Sequence, residues 1–270
     1  MIHSSSQSRD NSQVIETLQD FYTAILEYYD ELFPMNTQAL DCISRIQLIH
    51  KADKGGSSAP MFRYLGVGCA TGNLENRLSG PGLDITGIDK NSAMIETAKR
   101  RIKKGFSSIR FFEMSAMDMG RFLKKESFHL IGCLENTLPY IGDEILVRKF
   151  FHDARELLAP EGLLLLQTVN FDSFDSSKPF VLPQKQSVRV QLDRSYIPTN
   201  DGCVTLKAEL EQGNGRRLIL QQDTKLRPAP TEKIFHWANE AGFSECAFFA
   251  DFNQSPWSAD CPETIIVCRK

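Results

Sequence analysis

Long apolar runs are missing from this chain. No stretch approaches the ~20 apolar residues that cross a bilayer, which excludes a helical membrane anchor. The opening Met1-Ile2-His3-Ser4-Ser5-Ser6 is polar and has no secretory-leader core, so the sequence predicts a soluble, cytoplasmic protein. Cysteine pairing is missing as well. The seven cysteines are odd in number and scattered without C-x-x-C, which predicts reduced thiols and neither disulfides nor a zinc site. Five scattered histidines form no metal cluster. Nor is one sign of charge in excess. The formal net charge of -3 gives no general attraction to nucleic acid or to an anionic membrane. The basic cluster Lys99-Arg100-Arg101 with Lys103-Lys104 closes a predicted helix and reads as a solvated face favoured by the helix dipole. A nucleophile triad, an internal repeat and a low-complexity tract are also absent.

What is present is alternation. At 270 residues the chain is long enough for one α/β domain with a sizeable insertion. Residues 1–12 are polar. Apolar residues from 14 to 32, Ile15 and Leu18 among them, recur at helical spacing until Pro34, and a second helix is predicted over 36–50. A Gly/Ser-rich connector, 51–60, leads to a strand at 62–67. A helix at 72–78, a strand at 84–89, a helix at 92–103 and strands at 109–114 and 128–134 follow. A helix at 143–158, a turn at Ala159-Pro160-Glu161-Gly162 and a strand at 163–168 complete the run. Such alternation predicts a doubly wound, Rossmann-like, mostly parallel α/β sheet. The pattern then changes. Segments 188–196, 203–211 and 216–227 read as a small antiparallel β meander. A helix at 231–241, capped by Thr231, and strands at 243–251 and 264–269 return to the first pattern and bring its sheet to seven strands.

The chemistry begins at Phe62-Arg63-Tyr64-Leu65-Gly66-Val67-Gly68-Cys69-Ala70-Thr71-Gly72, an apolar strand ending in a Gly-rich turn. There the backbone turns sharply and comes close to a ligand. The next strand ends in Asp89, a carboxylate placed to accept from two ribose hydroxyls. In open α/β sheets ligands sit outside these strand ends, at the switch point, so the pair predicts a nucleotide-like ligand. Three residues, not two, separate Gly68 from Gly72, and no Lys-Ser/Thr pair follows. This spacing argues against a dinucleotide fingerprint and a P-loop. No Tyr-x-x-x-Lys pattern supports an NAD(P)-dependent oxidoreductase, the competing enzyme class on this fold.

The Gly-rich turn resembles motif I of class I S-adenosylmethionine-dependent methyltransferases, acidic-x-Gly-x-Gly-x-Gly. In that alignment Gly66 takes the acidic position, Gly68 the first Gly, Ala70 the second and Gly72 the third. The resemblance covers roughly residues 60–170 and the last forty. It implies S-adenosyl-L-methionine as cofactor, held by Gly66, Val67, Gly68, Cys69 and Gly72 of the turn. In Gly87-Ile88-Asp89-Lys90-Asn91-Ser92-Ala93-Met94 it gives Asp89 the ribose diol, with Lys90 and Met94 flanking adenosine. Ser115, Ala116 and Met117 stand where the family holds adenine, with Asp118 as the neighbouring alternative.

Cys133-Leu134-Glu135-Asn136-Thr137-Leu138-Pro139-Tyr140 is similar to the segment between donor and acceptor in the glycine/sarcosine N-methyltransferase-like branch, with Glu135 in place of the usual Gly. Cys133, Leu134 and Glu135 are thereby expected at the cofactor, Glu135 as a substitute for the acid missing at 66. Glu135, Asn136 and Tyr140 are expected at the reacting atoms, and His152 is a further proton acceptor by residue type but is expected at the surface. Asn170, with Gln167, is expected near the acceptor, and Tyr28 and Tyr29 are expected to cover the site from an N-terminal lid. The domains so implied are a lid and connector (1–58), a cofactor domain (59–180 with 229–270) and a substrate-covering insertion (181–228). The activity implied is in-line methyl transfer to a small amine or amino acid by a monomer or homodimer, with no nucleic acid or membrane partner. The departures at Gly66, Ala70 and Ser115 leave a second reading open, a degenerate relative acting as a non-catalytic binding or scaffold module.

Overall fold

The computed structural model describes residues 13–14, 21–56, 60–103 and 108–270. The polar segment 1–12, the helical positions Ile15 and Leu18, residues 57–59 of the connector and Lys104 of the basic cluster lie outside them.

Two sheets make up the architecture. The larger contains β2 (Phe62–Val67), β3 (Leu83–Asp89), β4 (Ile109–Glu113), β5 (Phe128–Cys133), β6 (Leu158–Val169), β11 (Glu245–Phe249) and β12 (Glu263–Arg269), in the order β11-β12-β6-β5-β2-β3-β4. β2 to β6 run parallel, and β12 and β11 close the edge antiparallel. The chain thus leaves β2 for β3 and β4 on one side and returns to β5 on the other. That reversal opens a crevice at the carboxyl ends of β2 and its neighbours. Helices α3 (Thr37–Asp53), α4 (Asn73–Leu78) and α5 (Ser92–Arg100) cover one face; α7 (Glu144–Leu157) and α8 (Thr231–Glu240) cover the other. Asn36, Asn91 and Asp143 cap α3, α5 and α7 by accepting from the backbone N–H three residues on. Thr231 is not itself a cap. It is the first residue of α8, and Asp172 accepts from its N–H and its hydroxyl.

The smaller sheet has five strands, in the order β1-β10-β9-β8-β7: β1 (Gln13–Val14), β7 (Phe180–Gln186), β8 (Val190–Pro198), β9 (Val204–Gln212) and β10 (Arg217–Leu226). The sequence reading had only the central three. β7 carries Pro183 and a register shift between Leu182 and Lys185, features tolerated on an edge strand, and they obscure its pattern. The turn expected at 159–162 is instead part of β6, with Glu161 left-handed at φ 63°.

The expected helix over 14–32 is not continuous. Gln13–Val14 pairs with β10, while α1 (Phe21–Ala24), a 3-10 turn at Leu26–Tyr28 and α2 (Tyr29–Leu32) are separate short pieces. The segment faces two partners at once. Phe21, Ile25 and Leu32 pack on the smaller sheet, and Tyr22 and Tyr29 face the crevice. The thiol expectation is corrected as well. Cys246 and Cys268 oppose each other across β11 and β12 and form a disulfide, a pairing set by strand register that a sequence separation of 22 does not reveal. The other five cysteines are free. No helix among the described residues is long and apolar enough to cross a membrane.

Candidate active site

The crevice holds three adjoining cavities. The first, about 270 Å³, is lined by Val67, Gly68, Ala70, Asp89, Lys90, Asn91, Met94, Met114, Ser115, Ala116, Met117 and Thr137, with Tyr22, Tyr29, Glu135, Tyr140 and Ile141 closing it. The second, about 70 Å³, lies along Gly66, Cys69, Glu75 and Leu134. The third, about 280 Å³, lies between the first and the smaller sheet, with Asn136, Gln167, Lys185, Arg194, Tyr196 and Glu263 in its wall. Tyr29 and Glu135 border all three.

Asp89 is fixed before any ligand arrives. Its carboxylate accepts from Ala70 N–H at 2.9 Å and from Asn91 N–H at 2.8 Å, which ties the Gly-rich turn to the end of β3. Gly68, at φ +71°, has no room for a side chain, because a Cβ there would overlap Thr137. Ala70 is left-handed at φ 47°, which costs an L-residue about 1–2 kcal/mol. Ala70→Gly is therefore expected to raise unfolding stability by about 1 kcal/mol with cofactor affinity retained, read by urea titration and calorimetry. Ser115 uses its hydroxyl to accept from Met117 N–H, which turns the backbone after β4 toward the first cavity.

The loop after β5 is strained in the same sense. Glu135 and Asn136 are both left-handed, at φ 52° and 62°, which explains why glycine suits the first of these positions. Glu135 N–H donates to Gln167, and Gln167 donates to Glu263. Asn136 accepts from Thr168 Oγ1 and Val169 N–H, and donates to Tyr196 Oη at 2.6 Å. Glu135 opens onto the cavities but has protein on its other sides, and this desolvation raises its pKa. Desolvation also holds the Tyr29 and Tyr140 phenols well above their ordinary value, so both stay protonated at neutral pH.

The N-terminal segment is clamped over this site. Thr71 Oγ1 donates to Asp30 at 2.6 Å, Arg101 pairs with the same carboxylate, and Asn91 donates to Thr23 Oγ1 at 2.8 Å. Arg101 is thus a clamp between α5 and the segment, not a solvated face. On the far side Arg189 of the β7–β8 loop pairs with Glu27 and Glu31.

Most predicted residues converge here, but four do not line a cavity. Tyr28 faces the smaller sheet, where its hydroxyl accepts from Gln212 and Arg189 lies over its ring. Asn170 donates to the carbonyls of Ser258, Ala259 and Cys261 and holds that loop. Cys133 is buried in the core, its thiol pushed up to about 12 by desolvation. Gly72 packs behind the turn against Phe111 and Ala98. Asp118 lines none of the three cavities, and His152 is exposed on α7. The sequence reading missed Tyr22, Thr137, Lys185, Arg194, Tyr196 and Glu75. Tyr22 carried a signal in the apolar spacing of 21–32, and Lys185 and Arg194 lie on strands whose pairing was partly unread.

The sites suit the nucleoside methyl donor. A fixed carboxylate stands at the strand end, three methionines line the same cavity, and Gly68 lets the backbone come close to its contents. The comparisons with known proteins define the class: this chain is a class I S-adenosylmethionine-dependent methyltransferase, with S-adenosylmethionine as its cofactor. Residues 65–162 match the methyltransferase domain family. Over 268 residues, 92% of this chain and 99% of the other, it is 27% identical to a protein of Geobacillus sp. (strain WCH70) named as a methyltransferase. It is 26% identical to the glycine/sarcosine N-methyltransferase of Halorhodospira halochloris over 97% of this chain and 94% of that one. In fold it is similar to an S-adenosylmethionine-dependent methyltransferase of Clostridium acetobutylicum, with a TM-score of 0.71 at 15% identity, covering 93% of this chain and 99% of that one.

Proposed function

We propose that this methyltransferase transfers a methyl group to the nitrogen of a small amine or amino acid, with the donor in the first two cavities and the acceptor in the third. The observation that carries the reading is the third cavity's mixed charge. Arg194 and Lys185 stand on one wall, Glu135 and Glu263 on another, within about 280 Å³. Such a space suits a small zwitterion. Arg194 lies over the Phe33 ring, and its Nε is buried with no hydrogen-bond partner among the described residues, a donor open to a carboxylate. Similarity to a glycine/sarcosine N-methyltransferase supports the same acceptor class.

Bound S-adenosylmethionine supplies a methyl group already activated on a cationic sulfur. The chain's own work is then alignment, which contributes most where two reactants must meet in line. Asp89, Lys90, Met94 and the 115–117 turn would hold the nucleoside, and Val67 and Gly68 the backbone face. Tyr22, Tyr29 and Tyr140 border the first and third cavities and present aromatic faces that attract a cation by about 0.5–2 kcal/mol. Asn136, fixed by three hydrogen bonds, sets the shape of the acceptor wall. Glu135 sits where the cavities meet, and desolvation raises its pKa, which makes it a stronger base for an ammonium proton than an exposed carboxylate. The clamped segment of residues 21–33 excludes water, and residues 181–228 act as the substrate-covering unit.

The test is a panel of amines, amino acids, phenols and alcohols, scored by S-adenosylhomocysteine release. Turnover confined to phenols or alcohols would sink the reading. With a carboxylate-bearing amine, Arg194→Met is expected to raise KM roughly 10- to 100-fold, the worth of a charge-assisted hydrogen bond, with kcat within about threefold. An equal rise for amines that lack a carboxylate would contradict it.

A further inference from the structure

Glu75 is a buried carboxylate behind the Gly-rich turn. It stands on the first turn of α4 with 3% of its surface exposed, and its Oε2 has no hydrogen-bond partner among the described residues. Its Oε1 fills the space that a side chain at Gly66 would take. Among the described residues, the wall of the second cavity carries three carboxylates, Asp30, Glu75 and Glu135, and no lysine, arginine or histidine. Asp30 is already paired with Arg101. Among the described residues the groups acting on Glu75 offer no cation either: its own backbone N–H favours the ionised form, while Asp89 across the turn, Tyr64 on β2 and Cys69 in the turn bring none. An ionised carboxylate in such a place is costly unless paired. A cation must come from the ligand or the group stays protonated.

The donor carries such a cation, the ammonium at the end of its amino acid chain. The second cavity shares Val67, Gly68 and Ala70 with the first, so it continues the donor cavity past the Gly-rich turn, away from Ser115 and Met117. We propose that Glu75 is the anionic partner of the donor's ammonium, supplying from α4 the carboxylate that β2 lacks at Gly66. This rests on reading the first two cavities as the donor site. It reassigns the substitute role expected of Glu135, which faces the acceptor as well. A chemical consequence follows. With its pKa raised to about 7 by burial, Glu75 holds a proton in much of the unliganded protein at slightly acid pH. Pairing with the ammonium ionises it, and that proton leaves to buffer.

The experiment compares two ligands by calorimetry: S-adenosylhomocysteine, and 5′-methylthioadenosine, which has the nucleoside and thioether without the amino acid chain. In the parent protein, S-adenosylhomocysteine binding at pH 6.5, measured in two buffers of different ionisation enthalpy, is expected to release more than half a proton. In Glu75→Gln its affinity is expected to fall at least tenfold and proton release to vanish, while methylthioadenosine affinity changes less than twofold. Moving the carboxylate, Glu75→Ala with Gly66→Asp, is expected to restore the preference for S-adenosylhomocysteine. Equal weakening of both ligands in Glu75→Gln would give Glu75 a structural role only and overturn the proposal, as would unchanged S-adenosylhomocysteine affinity. Failure of the parent to bind either ligand would instead overturn the placement of the donor site.

Discussion

Asp89→Ala is expected to weaken S-adenosylhomocysteine binding roughly 10²- to 10⁴-fold. Two hydrogen bonds from ribose hydroxyls to a carboxylate are worth about 1.5–3 kcal/mol each, and each 1.4 kcal/mol is a factor of ten. The substitution acts twice, because Asp89 also holds the Ala70 and Asn91 amides. Without that acceptor the Gly-rich turn loses its tie to β3, and unfolding stability is expected to fall by about 1–3 kcal/mol. Asp89→Asn separates the two effects. Its amide oxygen keeps one backbone bond while the charge is gone, so it is expected to bind more weakly than the parent with a smaller loss of stability. Calorimetry paired with urea denaturation reads both quantities. Affinity for S-adenosylhomocysteine within threefold of the parent in Asp89→Ala would remove Asp89 from the site.

The second large effect is on stability and runs in the opposite direction. Glu75→Gln is expected to stabilise the unliganded protein above pH 7. The folded protein holds the Glu75 pKa at about 7 against an ordinary 4.5, with desolvation the main cause. Below pH 4.5 the group is protonated in both states and exacts no penalty. Between 4.5 and 7 the unfolded chain gives up its proton first, so stability falls as pH rises. Above 7 the loss is complete, at about 3 kcal/mol for a shift of that size. Glutamine fills the same space without titrating. The parent and variant are therefore expected to converge near pH 4.5 and to separate by about 3 kcal/mol at pH 8 in urea titrations. A pH-independent difference would mean that Glu75 does not titrate in this range. Stability given up at this position is what a site that prefers a charged ligand requires.

The two predictions differ in how far their residues were readable. Asp89 follows an apolar strand and precedes an Asn-capped helix, a purely local pattern, and the chain places it in the cavity. The parallel sheet was legible for the same reason, since period and turn residues are local. Glu75 was not. An acid three residues after Gly72 reads as a helix-start residue, and only the packing of α4 against β2 turns it inward. Tyr28 and Tyr29 show the limit at the level of one residue. Continuous helical spacing could not choose between them, because the segment breaks into short turns that aim one at the smaller sheet and the other at the cavities. Arg101 and the Cys246–Cys268 bond belong to the same category: the clamp joins residues 71 apart and the disulfide follows strand register. Arg194 and Lys185 were hidden by distance along the chain, and β7 by its proline.

The arrangement of the cavities has a bearing on how such a protein diversifies. The first cavity, proposed for the donor, takes its walls from residues between 22 and 141, whereas Lys185, Arg194, Tyr196 and Glu263, which distinguish the third, proposed for the acceptor, come from later in the chain. β7 to β10 form one uninterrupted block, entered after β6 and left before α8. On the proposed reading, substitution within that block would alter which molecule is received, and the first cavity would feel it through residues 21–33, which pack on this sheet and pair with Arg189. The shared partition of Tyr22, Tyr29, Phe33, Glu135 and Tyr140 is answerable to both sides. On that reading, a chimera that grafts 180–226 from a relative is expected to change the range of acceptors more than the affinity for the donor.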